Sequence, residues 1–209
     1  MKPLPLILAF TPLILFSLLT KILPSHDVGI SALVAAVVAG IALVATKPIW
    51  PPKILNACSL VLFVILAIVG FSSGHGTDKW VASWAASGVG IVMGLVVLAL
   101  IPVMPFTEQF ARESVPREQW TSPVFKKINR VLSSGWGLAL IGLGVSRTIA
   151  TAINRSGSHS AAQIILGAVV PVAILIYMFK FSKSYPEKVT SVQAHPAAPV
   201  GGGAHERHG

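Results

Sequence analysis

Six stretches of about twenty residues, each nearly free of charge, dominate the chain: about 4–23, 28–46, 54–71, 81–103, 131–153 and 160–179. As an α-helix, a run of this length crosses the roughly 30 Å hydrocarbon layer of a bilayer. Lipid offers no partner for a free amide, so only helices and closed barrels span it. Barrel strands alternate apolar and polar positions, whereas these runs are apolar all round. The expected fold is therefore an all-α membrane protein. Residues 1–184 form a six-helix transmembrane bundle, with a short amphipathic cytoplasmic segment between spans 4 and 5. Residues 185–209, rich in Pro, Ala, Gly and His, are expected to be a disordered tail.

Composition excludes the alternatives. Of 209 residues only 11% are charged, and mean hydropathy is +0.77, whereas a soluble domain carries roughly a quarter charged residues. Cys58 has no second cysteine to pair with, so a disulfide scaffold is ruled out. The net charge of +9 comes from short loops between apolar runs, a distribution that orients a membrane protein and does not suggest a nucleic-acid partner. The first run starts with Met1-Lys2 and has no small-x-small cleavage pattern before Lys21, so a retained span is expected and not a signal peptide. Pro12 is expected to kink it.

With the amino terminus in the cytoplasm, twelve Lys and Arg residues fall on inner segments and four on outer ones. That bias predicts a multi-pass protein with both termini cytoplasmic. Trp50, Trp80, Trp84 and Trp136 lie near span ends, as an interfacial belt requires.

The connection 104–130 is the long inner loop, PFTEQFARESVPREQWTSPVFKKINR from Pro105. Glu108 and Arg112 stand four apart, as do Glu113 and Arg117, although Pro116 interrupts the second pair. Ser122-Pro123 reads as an N-cap with proline at the first helical position. Phe125, Ile128 and Leu132 then share a face, with Lys126, Lys127 and Arg130 off it.

Sites of chemistry are sparse. The seven acidic residues all fall outside the apolar runs, and so do the six histidines. A coupling carboxylate in mid-membrane and a haem held by helix-buried histidines are both without candidates. No catalytic motif, cofactor site or metal site is expected. Arg147 is the charge placed furthest inside a run; it either sets an anion-preferring path or snorkels outward towards Asn154 and Arg155. Ala82, Ala86, Gly90 and Gly94 recur at four-residue spacing, as do Ala32, Ala36 and Gly40, while Gly135, Gly137, Gly142 and Gly144 crowd the fifth run. Small residues let helix backbones approach, within one bundle or between copies in a homo-oligomer.

Several segments resemble the bacterial inner-membrane proteins of the intracellular septation protein A type. They are FTPLILF, KPIWPPK, Asp78-Lys79-Trp80 and above all QWTSPVFKKINRVLSSGWGLALIGLGV, with Trp120, Lys126, Lys127, Ile128, Asn129, Trp136 and Gly142 at the matching positions. The chain departs from that pattern in PVMPFTEQFARESVP and in its tail. The resemblance implies a non-enzymatic role in cell-envelope maintenance or septation through other inner-membrane proteins. The contact surface is expected in the loop 104–130, which holds most of the polar, orientable side chains, with Arg112, Arg117, Trp120, Lys126, Lys127, Asn129 and Arg130 as its candidates. The alternative from another class is a small transporter or channel with Arg147 in its path.

Overall fold

The computed structural model describes residues 3–24, 27–45, 53–72, 75–155 and 161–194. All regular structure among them is helical. The long helices are α1 (Pro3–Ile22), α2 (Val28–Ala45), α3 (Ile54–Ser72), α4 (His75–Leu100) and α6 (Pro123–Arg155), with the short α5 (Phe106–Ala111) before α6. A last helical stretch comprises α7 (Ala161–Ile164), a π-turn (Ile165–Val169) and α8 (Val170–Ala194). Four segments are long and apolar enough to cross a membrane: Val28–Ala45, Ile54–Ser72, Pro123–Asn154 and Ala161–Ser191. Leu8–Ile22 and Trp84–Leu100 are shorter apolar helices.

The packing is inside-out relative to a soluble protein. α2 buries Ala32, Ala35, Ala36 and Ala39 and leaves Val37, Ile41 and Val44 more than half exposed. Small residues bring helix backbones together where lipid removes any hydrophobic drive to bury larger ones. The most extensive helix pairs are α2 with α3 and α4 with α6; α1 packs on α2, and α8 on α6. At the α2–α3 contact a Cβ on Gly70 would lie 2.6 Å from the Gly29 backbone. At the α4–α6 contact a Cβ on Gly94 would lie 2.7 Å from the Gly137 carbonyl, and one on Gly144 would lie 2.7 Å from that of Ser87. Gly90 faces Leu140 and Gly144 in the same seam. The glycine stripes thus meet each other within one chain.

Several boundaries differ from expectation for local reasons. α1 (Pro3–Ile22) contains Pro12 within one helix, as the retained first span requires. α4 starts six residues before the predicted span, at His75, and stops at Leu100, where Pro102 cannot extend the ladder. α6 begins where the Ser122-Pro123 pair predicts, with the Phe125 amide donating to Ser122 Oγ at 3.1 Å. It then continues unbroken for 33 residues, so the amphipathic segment and the fifth span are one rod. α8 runs to Ala194, ten residues into the stretch expected as tail. The Thr190 hydroxyl donates to the Pro186 carbonyl at 2.8 Å, and Pro186 and Thr190 line a cleft beside Phe125 and Ile128 of α6. The remainder of the tail, from His195, lies outside the described residues.

The π-turn has a cause in the sequence. The Val170 amide donates to Ile165, five residues back, and Pro171 has no amide to give the next carbonyl, that of Leu166. The hydroxyl of Ser146 on α6 supplies that bond at 2.5 Å.

Candidate functional site

The long inner loop is not a free polar surface along its length. Phe106, Phe110 and Ala111 form one apolar face of α5 and are buried at the base of the bundle. Phe106 packs edge-on to Phe10 of α1 with ring centres 6.4 Å apart. The Thr107 hydroxyl donates to the Asn129 carbonyl at 2.9 Å, and Ser133 Oγ lies 2.9 Å away. Gln109 Oε1 accepts from the Ile54 amide at 2.8 Å, capping the start of α3. Beside it Lys53, only 4% exposed, pairs with Glu113 at 2.6 Å and lies over the Phe110 ring. Sequence reading counts Lys53 as a topology signal and pairs Glu113 with Arg117. In the fold α5 ends at Ala111, before that pair, and Glu113 turns to Lys53 instead.

The other predicted interaction residues separate into three groups. Arg112 pairs with Glu108 at 2.5 Å, and the guanidinium groups of Arg112 and Arg117 lie 4.9 and 5.7 Å from the Trp120 ring centre. The Trp120 indole donates to the Val115 carbonyl at 2.9 Å. Lys126, Lys127 and Arg130 are exposed on the first two turns of α6. Asn129 is 1% exposed, and its amide donates to the Phe125 carbonyl at 2.9 Å. It is a core residue and is closed to a partner.

Trp136, expected in an interfacial belt, is fully buried. Its indole stacks on Phe10 with centres 4.7 Å apart, meets Phe179 edge-on at 5.3 Å and donates to Ser182 Oγ at 2.9 Å. Trp84 is half-buried; Trp50 and the Trp80 side chain lie outside the described residues, as do the histidine side chains.

At the opposite end of the bundle, where α1 and α6 finish and α7 begins, two joined cavities meet at Arg147. One, the more polar of the two, is about 360 Å³ and is lined by Lys21, Ser87, Thr151, Asn154 and Gln163 together with Ala86, Ala150, Ile164 and Ala168. The second is apolar, about 450 Å³, lined by Phe10, Leu143, Val172, Leu175 and Phe179 among others. Arg147, Lys21, Ser17 and Gly167 line both. Arg147 stands eight residues before the end of α6, about 12 Å along its axis. Its Nε is buried with no hydrogen-bond partner. Arg147 as a whole is partly exposed, and its side chain lines both cavities with Nε covered.

The neighbours of Arg147 keep that space open. Gly144 and Gly90 hold α6 against α4 one turn below it, and Ser146, the next residue, ties α6 to the π-turn at Leu166. The widened turn places Gly167 and Ala168 on the cavity wall, where they contribute little side-chain bulk. Pro171 in the sixth run and Ser146 beside Arg147 were the available signals for this arrangement. Their joining requires α6 and α8 to be neighbours, which a linear reading does not supply.

Neither cavity has a carboxylate among its described lining residues. Among the described residues no three His, Cys, Asp or Glu side chains gather as metal ligands. Asn56 and Ser59 on α3 are also buried with side-chain polar atoms unpartnered.

Fold and exposure pattern together define an all-helical, multi-pass membrane protein. No family model matches the chain, and no curated protein or solved structure matches it either.

Proposed function

We propose that this chain is a six-span, non-enzymatic inner-membrane protein that binds an anionic substrate at Arg147, as a small transporter or channel with an anion-preferring path does. The observation that carries this reading is a guanidinium with a buried, unpartnered Nε at the junction of two cavities whose described walls hold no acid. A charge at membrane depth is costly and persists where it has a counter-charge or a polar path. Lys21 adds a second cation, and Thr151, Asn154 and Gln163 add neutral donors. With both termini in the cytoplasm, as the distribution of Lys and Arg favours, this site belongs to the outer half of the membrane.

The test is thermal stability of the purified protein across a panel of soluble and lipid anions. A ligand at one hundred times its Kd stabilises the folded state by about 2.7 kcal/mol. That gain is expected for wild type, reduced for Arg147→Lys and lost for Arg147→Ala. Equal stabilisation of wild type and Arg147→Ala by every anion refutes the reading.

A second reading is favoured by the exposed strip Lys126, Lys127 and Arg130 with Arg117 nearby. It is a contact surface for other inner-membrane proteins in cell-envelope maintenance or septation, in line with the resemblance noted above. Reversing the charge of Arg117, Lys126, Lys127 and Arg130 together is expected to abolish partner recovery in a pull-down at matched protein level. Undiminished recovery rejects that surface.

A further inference from the structure

Resting on the anion-binding reading, we propose that the ligand at Arg147 is an anionic lipid, its phosphate headgroup in the more polar cavity and a hydrocarbon chain in the apolar one. The two cavities share Ser17, Lys21, Ala86, Arg147, Gly167 and Ala168, so both cations stand where the more polar space meets the apolar one. A small inorganic anion fills only the first space. The second, about 450 Å³, lies within the roughly 300–1,000 Å³ of ordinary ligand pockets and carries an almost wholly aliphatic and aromatic wall.

The apolar cavity is closed at its inner end and open at its side. Phe10 and Phe179, which line it, both pack on the Trp136 ring and form its floor. Ile14, Leu18 and Val172 also line it yet are 46%, 50% and 54% exposed, so between α1 and α8 the wall faces out of the bundle. In a bilayer that side adjoins lipid chains. A molecule entering there must be apolar along its length, and one that satisfies the guanidinium must end in negative charge. An anionic lipid meets both demands, and the hydroxyl and amide groups of Thr151 and Asn154 suit its phosphate oxygens.

Native mass spectrometry of the full chain in detergent, with phosphatidylglycerol, phosphatidylcholine and inorganic phosphate as separate probes, tests this. Wild type is expected to retain phosphatidylglycerol at least tenfold better than phosphatidylcholine. Arg147→Ala should erase that preference, and Arg147→Lys should keep part of it. Val172→Trp, which fills the apolar cavity at an exposed wall position and leaves the cations in place, should weaken phosphatidylglycerol binding at least fivefold. Circular dichroism confirms that each variant is folded. If inorganic phosphate binds in an Arg147-dependent way and Val172→Trp has no effect, the site takes a soluble anion; the lipid proposal is then overturned while the anion reading survives. If Arg147→Ala changes no probe, both fall. Phosphatidylglycerol binding that depends on Arg147 but tolerates Val172→Trp overturns the placement of the chain.

Discussion

Replacing Trp136 by alanine is expected to lower the stability of the folded protein by about 3–5 kcal/mol, the range for removing a fully buried aromatic side chain. The indole is 0% exposed and joins three helices, stacking on Phe10 of α1, meeting Phe179 of α8 and donating to Ser182 of α8 from its place on α6. Its loss opens a void at the floor of the apolar cavity and strands a buried hydroxyl. Trp136→Phe keeps most of the packing and loses one hydrogen bond, about 1 kcal/mol. Thermal denaturation of the detergent-solubilised variants measures both. A Trp136→Ala protein as stable as wild type would mean that the indole lies at the membrane interface, where its position near a span end first places it.

The second large effect lies in the α4–α6 seam. A Cβ at Gly94 would stand 2.6 Å from Ile141 Cγ1, 2.7 Å from the Gly137 carbonyl oxygen and 2.9 Å from the Ile141 amide nitrogen. Two of these atoms are backbone and cannot rotate away, so the helices must separate. Gly94→Ala is expected to cost about 1–3 kcal/mol through overpacking, and Gly94→Leu more. Gly88, on the same helix, has open space where its Cβ would be. Gly88→Ala is therefore the control, neutral or stabilising by up to about 1 kcal/mol through helix propensity. Equal effects at the two positions would show that α4 and α6 do not meet along this face.

Much of the architecture is legible along the chain because its causes are local. A run of apolar residues long enough to cross lipid declares a helix, and Ser122 followed by Pro123 declares where α6 starts. Gly90 and Gly94 at four-residue spacing announce a close helix contact without naming the other helix. Glu108 and Arg112 pair as their spacing on one helix requires. The loop 104–130 is less legible: its charges suggest a solvated surface, while Phe106 and Phe110 carry α5 under the bundle.

What the chain determines alone is its class, an all-helical protein of the membrane, because lipid enforces helix on any apolar run whatever its neighbours. Which side chains are inside was decided by the tertiary structure. Trp136 and Asn129 became core, Lys53 found Glu113, and Ser146 found the carbonyl that Pro171 leaves open. The cavity at Arg147 belongs to this second kind. Its walls come from α1, α4, α6 and the α7–α8 stretch, and apolar spans of similar composition carry no mark of which of them stand side by side.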